Sequence, residues 1–508
     1  MKRLASLLLV LVLPAGCTTT FAPQACASDT ECHDGFVCQV RDQQAICVRA
    51  GEAPILIGQS APFTGSNQAL GVGMKQGIQL AFDEQNAQGG IHGRELQLVA
   101  RDDGYEPTRA ESNARALIDA QASTQAPTCP STATPVSNGA VPPQLVPVST
   151  TAIARGPDAV LALLGSVGTP TMVRAAPVAI ESGTLFFGAF TGAAALVRDA
   201  SAGPCARYIF NVRASYAQEA RATMEYFIHR GIADYKAIIS FDQNDSFGAA
   251  GYSGLVDAYT ELQGAFPSSA DPETPIARFR YTRNDDTSVP TQASAAEAYL
   301  ADLLQHTSGN VHVGIMMTDT YGAAAGFISH LRKWQFANDA QQTSLGKATR
   351  LTLDFSNISF VGPNALSDEL IGAGTVQTPG GPMMLTEDVV VSQVVPNYES
   401  DLSDVVQQYN RLIDKAGLVP GFTSLEGYIS ARVFIAGLLA TKGALDVDNL
   451  VESFESLPDL GLGLGANAGF SRNNHQYSQS VWGTALHADG SFGNVYFWTS
   501  GSPIEFFQ

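Results

Sequence analysis

From Ile55 onwards short apolar runs alternate with helix-length amphipathic segments, and this rhythm restricts the possible fold more than any other feature. Ile55-Leu-Ile-Gly-Gln-Ser60 reads as a strand, and 71–87 as a helix carrying Met74, Ile78, Ala81 and Phe82 on one face. Asn86-Ala-Gln-Gly-Gly90 ends that helix. Residues 95–101 alternate Leu96, Leu98 and Ala100 as a strand does, and 107–120 form a helix with Pro107 in its first turn. The rhythm resumes at Val160, with strands expected at 185–187, 208–212, 236–241, 311–317 and 358–361. Helices are expected between them at 216–230, 247–262, 295–304 and 322–334. Such alternation builds parallel sheets covered by helices on both faces. After Val391 two helices, 402–415 and 424–439, follow each other without a strand. The tail, 480–497, reads as antiparallel around a turn at Ala488-Asp-Gly490.

A chain of 508 residues has room for two or more domains. Residues 121–157, rich in Pro, Ser, Thr and Ala, interrupt the alternation and read as a surface insertion. The formal charge of −19, from 29 basic and 48 acidic residues, opposes nucleic-acid binding, which needs a basic footprint.

The N-terminus carries Lys2 and Arg3, an apolar stretch and then Pro14-Ala-Gly-Cys17, the layout of a secretory signal too short to span a bilayer. Ala15-Gly16-Cys17 resembles the box of bacterial lipoproteins, in which the cysteine is lipidated; Pro14 departs from it, where leucine is usual. Setting Cys17 aside leaves six cysteines, an even number suited to an oxidising compartment. Cys26, Cys32, Cys38 and Cys47 cluster in a segment with little apolar content, which needs staples to hold a shape. Two disulfides of unspecified pairing are expected there; a zinc site using His33 is the alternative, without the short Cys-x2-Cys spacing. Cys129 and Cys205, both in loop-like sequence, are left to pair with each other.

Gly165-Ser-Val-Gly-Thr-Pro-Thr171 joins the apolar run 159–164 to a helical segment at 172–181. No Gly-Lys-Ser/Thr occurs and the stretch holds no cation, so it is not a nucleotide phosphate loop. Gly-x-Ser-x-Gly and His-Glu-x-x-His are absent, the eight histidines are dispersed, and no residue set points to catalysis or a metal. A helix start offers unsatisfied N–H groups and a partial positive charge, and Thr169 and Thr171 add hydroxyls. That combination holds a carboxylate or another small polar group.

Several segments, in this order, resemble one family. They are Ile57-Gly-Gln-Ser-Ala-Pro-Phe-Thr-Gly65, Gly77-Ile-Gln-Leu-Ala-Phe-Asp-Glu-Gln-Asn86, Gly89-Gly-Ile-His-Gly-Arg94, Arg101-Asp-Asp103, the 164–171 stretch, Phe190-Thr-Gly-Ala193, Phe210-Asn-Val-Arg-Ala-Ser-Tyr216, 242–248, Phe360-Val-Gly-Pro-Asn364 and Ser424-Leu-Glu-Gly-Tyr428. The chain after residue 53, the insertion apart, is similar to the periplasmic leucine/isoleucine/valine-binding type of solute-binding protein, which feeds ABC importers.

The resemblance implies an α/β fold of two doubly wound parallel-sheet lobes joined by three hinge crossings, with the ligand between closing lobes. It divides the chain into a signal peptide (1–16), a lipid tether (17–25), a Cys-rich module (26–50), a first lobe (53–213 and 394–470) and a second lobe (214–393 and 471–508). It places Ser166 and Thr169 in a first ligand cradle and Phe190 and Thr191 in a second, where the family's hydroxyl position falls on Gly192. Tyr216 and Asn364 stand where amino-acid binders of the family place carboxylates for the ligand ammonium, so an amino-acid ligand is disfavoured. Phe247 matches a closing aromatic, Leu70 replaces an aromatic over the side-chain pocket, and Tyr321 approaches the cleft. The implied protein is a monomeric, lipid-anchored binder of a small polar or carboxylated solute in the bacterial cell envelope. It hands that solute to an ABC permease, with no cofactor, no metal and no catalysis. A relative that senses ligands, or has lost them, and acts as an envelope interaction protein is the alternative.

Overall fold

The computed structural model describes residues 24–27, 31–33, 36–41, 44–49, 53–123, 153–194, 196, 198–200, 206–230, 235–262, 276–307, 309–345, 350–465 and 468–507. Cys17, Cys129 and Cys205 lie outside them, as does most of the 121–157 insertion. Two units are separable, residues 1–54 and 55–508.

In the first, Phe36–Arg41 (β1) and Gln44–Arg49 (β2) form an antiparallel pair with Cys38 opposite Cys47. The four thiols are consumed in two disulfides, Cys26–Cys38 and Cys32–Cys47, so they are not free to ligate zinc. Among the described residues of this unit few apolar side chains are buried, and such a segment depends on staples.

The second unit begins with Ile55–Ala61 (β3), Gln68–Ala87 (α1), Leu96–Asp102 (β4) and Pro107–Leu117 (α2). Gln121–Ala122 (β5) pairs antiparallel with Ile153–Ala154 (β6) and closes the base of the insertion. Ala162–Leu164 (β7), Thr169–Glu181 (α3), Leu185–Phe187 (β8) and Ile209–Phe210 (β9) complete the first lobe's sheet. Its order is β4-β3-β7-β8-β9, all parallel.

The chain then crosses to Tyr216–His229 (α4), Tyr235–Gln243 (β10), Ser246–Glu261 (α5), Ile276–Tyr281 (β11) and Val289–His306 (α6). Val311–Thr318 (β12), Tyr321–Ser344 (α7), Leu351–Asn357 (β13) and Pro363–Ala373 (α8) follow. After the small hairpin Thr375–Thr378 (β14) and Gly381–Met384 (β15) comes Val389–Gln393 (β16). A second crossing returns the chain to the first lobe for Asp404–Lys415 (α9), Phe422–Ala440 (α10) and Val447–Glu455 (α11). Helix α10 is apolar on nearly every side and lies buried against α1, as a helix without a polar face must. A third crossing leads to Ser480–Leu486 (β17), Phe492–Thr499 (β18) and Glu505–Phe506 (β19), which extend the second sheet antiparallel.

The second sheet runs β11-β10-β12-β13-β16-β17-β18-β19. Its first five strands are parallel and repeat the order of the first sheet, second strand outermost and third beside the first. First and third crossings run side by side: His475 and Tyr477 bond Asn211 through the backbone, and Ser478 bonds Val212.

The strands differ from the sequence reading in more than one place: Ile276–Tyr281 (β11) and Val389–Gln393 (β16) were not among those expected. The strand expected at 358–361 is Leu351–Asn357, and Ser359–Val361 form a 3-10 turn. Only Leu351, Leu353 and Phe355 supply its apolar side, so the more continuously apolar turn gave the stronger signal. Among the described residues no helix is long and apolar enough to cross a membrane.

Candidate functional site

In open parallel sheets a crevice forms beyond the carboxyl ends of the strands, where strand order reverses. The first lobe has this point between β3 and β7, so Gly165-Ser-Val-Gly-Thr-Pro-Thr171 leaves β7 directly into it. The second lobe has it between β10 and β12, marked by Gln243 and by Thr318-Asp319-Thr320-Tyr321. The two points face each other: Gln243 Nε2 donates to the Tyr105 hydroxyl of the first lobe at 3.4 Å.

Gly168 starts α3 with φ +99°, a conformation that favours glycine, and a Cβ there would sit 2.4 Å from the Tyr105 ring. The N–H groups of Val167 and Gly168 already bond the carbonyls of Ser60 and Phe190, which locks the cradle to its neighbours. The Thr171 hydroxyl turns back to the carbonyls of Val167 and Gly168, so it braces the turn and does not supply the free donor expected of it. Ser166 is buried and its hydroxyl accepts the Ser60 N–H at 3.4 Å.

Thr169 and Thr191 come together from two loops, their hydroxyl oxygens 2.7 Å apart and both side chains buried. Tyr216, the first residue of α4, is held by a bond from its N–H to Gly192 O at 2.9 Å. Gly192 permits this approach, because a Cβ would lie 2.5 Å from the Tyr216 ring. Burial raises the Tyr216 pKa; the charge of Arg213 and the adjoining Thr191 and Thr169 hydroxyls pull it back.

Aromatic rings from both lobes surround this pair. Phe190 stacks on Phe360 with centres 5.1 Å apart, Phe247 lies 4.6 Å from Phe360, and Tyr216 lies 5.6 Å from Phe247. The Arg213 guanidinium lies over Phe190 and Tyr216, 5.1 and 5.7 Å from their ring centres. It is paired with Glu219 at 2.9 Å and Glu426 at 3.4 Å, and it also bonds the Ser359 hydroxyl. Burial alone would lower the Arg213 pKa; the carboxylates of Glu426 and Glu219 more than offset it.

The remaining expected residues gather around Gly362. A Cβ on that glycine would lie 2.7 Å from Leu70 and 3.3 Å from Tyr321. Asn364 spends both polar atoms within the protein, accepting the Phe422 N–H at 3.0 Å and donating to the Tyr398 hydroxyl at 2.7 Å. Leu70 and Asn364 line a pocket of about 240 Å³ between α1, α8 and the start of α10, together with Gln76, Asp368 and Thr423.

The structure thus joins Thr169, Thr191, Phe190, Tyr216 and Phe247 in one cluster and Leu70, Tyr321 and Asn364 in another. Tyr105, Phe360 and Arg213 were not singled out in the sequence. All three fall in or beside segments that carried the family resemblance, and Tyr105 follows Gly104 in Asp-Asp-Gly-Tyr, a turn signal with a lone aromatic.

Residues 54–159 and 156–491 match the model of the family described as periplasmic binding protein. A stretch of 66 residues is 39% identical to Leu/Ile/Val-binding protein homolog 2 of Brucella abortus (strain 2308), covering 13% of this chain and 18% of that protein. The chain therefore spans less than a fifth of that curated relative in alignment. A possible leucine/isoleucine/valine-binding protein from Rhodopirellula baltica SH 1 is 29% identical with a TM-score of 0.62, over 88% of this chain and 96% of that one. A solute-binding protein of an ABC transporter from R. palustris, solved with 4-hydroxybenzoate, shares the fold at 14% identity and a TM-score of 0.60, over 88% and 97% of the two chains. With more than half of its length matched by the family model and both lobes built as above, the chain belongs to the periplasmic binding protein family.

Proposed function

We propose that the chain is an extracytoplasmic solute-binding lipoprotein, tethered through Cys17, that captures a small polar or carboxylated solute between its lobes and delivers it to an ABC importer. The observation that carries this reading is the Thr169–Thr191 hydroxyl pair, ringed by Phe190, Tyr216 and Phe247 where the two switch points meet. Hydroxyl donors fix a polar head while rings cover an apolar or aromatic body. Tyr216 and Asn364 in place of carboxylates leave an amino-acid ammonium without the usual partners, which favours carboxylated solutes lacking one.

A second reading rests on a separate observation. Phe190 and Tyr105 of the first lobe meet Phe360 of the second, at 5.1 and 6.1 Å between ring centres, so protein rings touch across the lobe interface. In this reading the touching lobes themselves form the surface recognised by an envelope partner. Mass spectrometry of small molecules released from the purified protein, with a thermal-shift screen of solute pools, separates the two. Capture predicts a retained or pool solute that raises the melting temperature by a few degrees at about 100-fold excess over Kd. No retained molecule and no shift from any pool would leave the interaction reading.

A further inference from the structure

Phe360 spans the boundary between the lobes. It belongs to the second lobe, in the turn Ser359–Val361 that follows β13. Its ring centre lies 5.1 Å from that of Phe190 and 6.1 Å from that of Tyr105, both of the first lobe, and 4.6 Å from that of Phe247 in its own. Phe360, Phe247 and Tyr105 are 0% exposed and Phe190 1%, so these rings are covered by protein atoms alone.

The turn that carries the ring is fixed on both sides. The Ser359 N–H donates to Glu219 at 2.8 Å and the Ser359 hydroxyl accepts from Arg213, so the buried ion cluster at the first crossing sets where the turn sits. On the other side Gly362 takes φ +79°, and a Cβ there would lie 2.7 Å from Leu70 of α1, so glycine lets the chain turn close against the first lobe. A braced turn, not a free loop, thus presents Phe360 to Phe190 and Tyr105.

A hinged pair of lobes closes when the closed arrangement gains contacts that the open one lacks. Phe190 and Tyr105 meet Phe360 only across the lobe boundary. Bringing the three rings together is favourable through the apolar area removed from water and through the ring pairs themselves. We propose that Phe360 is a tethered occupant of the cleft: the second lobe's own ring does the bridging that a bound molecule would otherwise do, so the lobes close without solute. A solute that enters must displace this ring from Phe190, which makes Phe360 the residue that sets how much room the cleft offers. Such self-closure holds whether or not a solute is ever captured.

The test uses the full chain after exhaustive dialysis. Phe360→Ala leaves a ring-sized apolar hole walled by Phe190, Tyr105 and Phe247, the kind of cavity that stays dry and admits a benzene-sized guest. Solution scattering is expected to show a compact wild type, a larger radius of gyration for Phe360→Ala, and a return to the wild-type radius when toluene is added. The variant's melting temperature is expected to rise with toluene by a few degrees, and wild type to respond in neither measurement. Phe82→Ala, which removes a fully buried ring of α1 within the first lobe, is the control: it loses stability but keeps the wild-type radius. Circular dichroism checks folding, and the radius of Phe360→Leu decides if Phe360→Ala does not fold. A wild-type radius in the folded Phe360 variant, equal opening in Phe82→Ala, or opening of Phe360→Ala that toluene fails to reverse overturns the tethered occupant. So does a wild type that opens on dialysis and recloses with a molecule recovered from it, a result that supports solute capture instead.

Discussion

Thr169 and Thr191, 22 positions apart in the chain, place their hydroxyl oxygens 2.7 Å from each other at the mouth of the first lobe's sheet. Only one of two such hydroxyls can donate to the other, so the pair keeps a proton to offer to a third group. Replacing Thr191 or Thr169 by valine preserves shape and removes that donor. For a carboxylated solute each substitution is expected to cost about 1.5–3 kcal/mol of binding, roughly ten- to a hundredfold in Kd. Calorimetry with the solute identified from the purified protein checks it; unchanged affinity in both variants would remove the pair from the site.

Arg213 sits at the first crossing and holds Glu219 of α4 and Glu426 of α10, with all three side chains buried. Ser359 N–H and the Ser392 hydroxyl also bond Glu219, which ties two crossings into one cluster. Arg213→Met leaves both carboxylates buried without their cation and is expected to destabilise the protein by about 3–5 kcal/mol. Arg207→Ala, which breaks a surface pair with Asp448, is expected to cost about 0.5 kcal/mol or less. Urea unfolding at pH 7.5 ranks the two, and a small loss in Arg213→Met would contradict the assigned role.

The same cluster fixes a pH dependence. Burial raises Glu426 from 4.5 to about 7, against the pull of Arg213 and aided by Glu219. The folded protein then binds more protons than the unfolded chain between those values, so this group's contribution to stability is full below pH 4.5 and is lost as pH rises through 7. Glu426→Gln, which cannot titrate, is expected to flatten the fall in melting temperature over that window. An identical pH profile in wild type and variant would refute the assignment.

Much of this architecture was legible because β/α alternation is written in local periodicity. The helices at 216–229 and 246–261 start within a residue of where the pattern placed them. Strand β13 was missed although Leu351, Leu353 and Phe355 alternate with Thr352, Asp354 and Ser356, because the adjoining Ile358-Ser-Phe-Val361 is the more continuously apolar run. Thr169, Phe190 and Tyr216 were singled out through family order, and the structure brings them into one cluster. Asn364, whose position suggests a ligand, has its side-chain oxygen bonded to the start of a helix and its side-chain nitrogen to Tyr398.

That helix start gives a further expectation. Asn364 Oδ1 accepts the Phe422 N–H at the first residue of α10. Asn364→Ala removes this hydrogen bond and is expected to cost about 0.5–1.5 kcal/mol of stability, with little change in solute affinity. Melting temperature and calorimetry together decide; a large affinity loss at unchanged stability would return Asn364 to direct contact.

The lobes are joined at the cleft edge by Asn284, which adopts φ +55° in the turn before α6. Its Oδ1 accepts from Asn67 Nδ2 at 2.8 Å and its Nδ2 donates to Glu106 Oε1 at 2.7 Å, while Arg283 pairs with Glu106 at 3.3 Å. Asn67 and Glu106 sit at the starts of α1 and α2, so this turn of the second lobe latches two helices of the first. Asn284→Gly suits the left-handed backbone and deletes both bonds, together with a longer one to Gly104 O at 3.4 Å. Each partly exposed hydrogen bond is worth about 0.5–1.5 kcal/mol, so the latch contributes enough to change solute affinity by roughly five- to tenfold. Faster dissociation in stopped-flow measurements and a larger radius of gyration in solution scattering are expected for the variant. Wild-type dissociation and an unchanged radius would mean that the aromatic contacts around Phe360 hold the lobes together on their own.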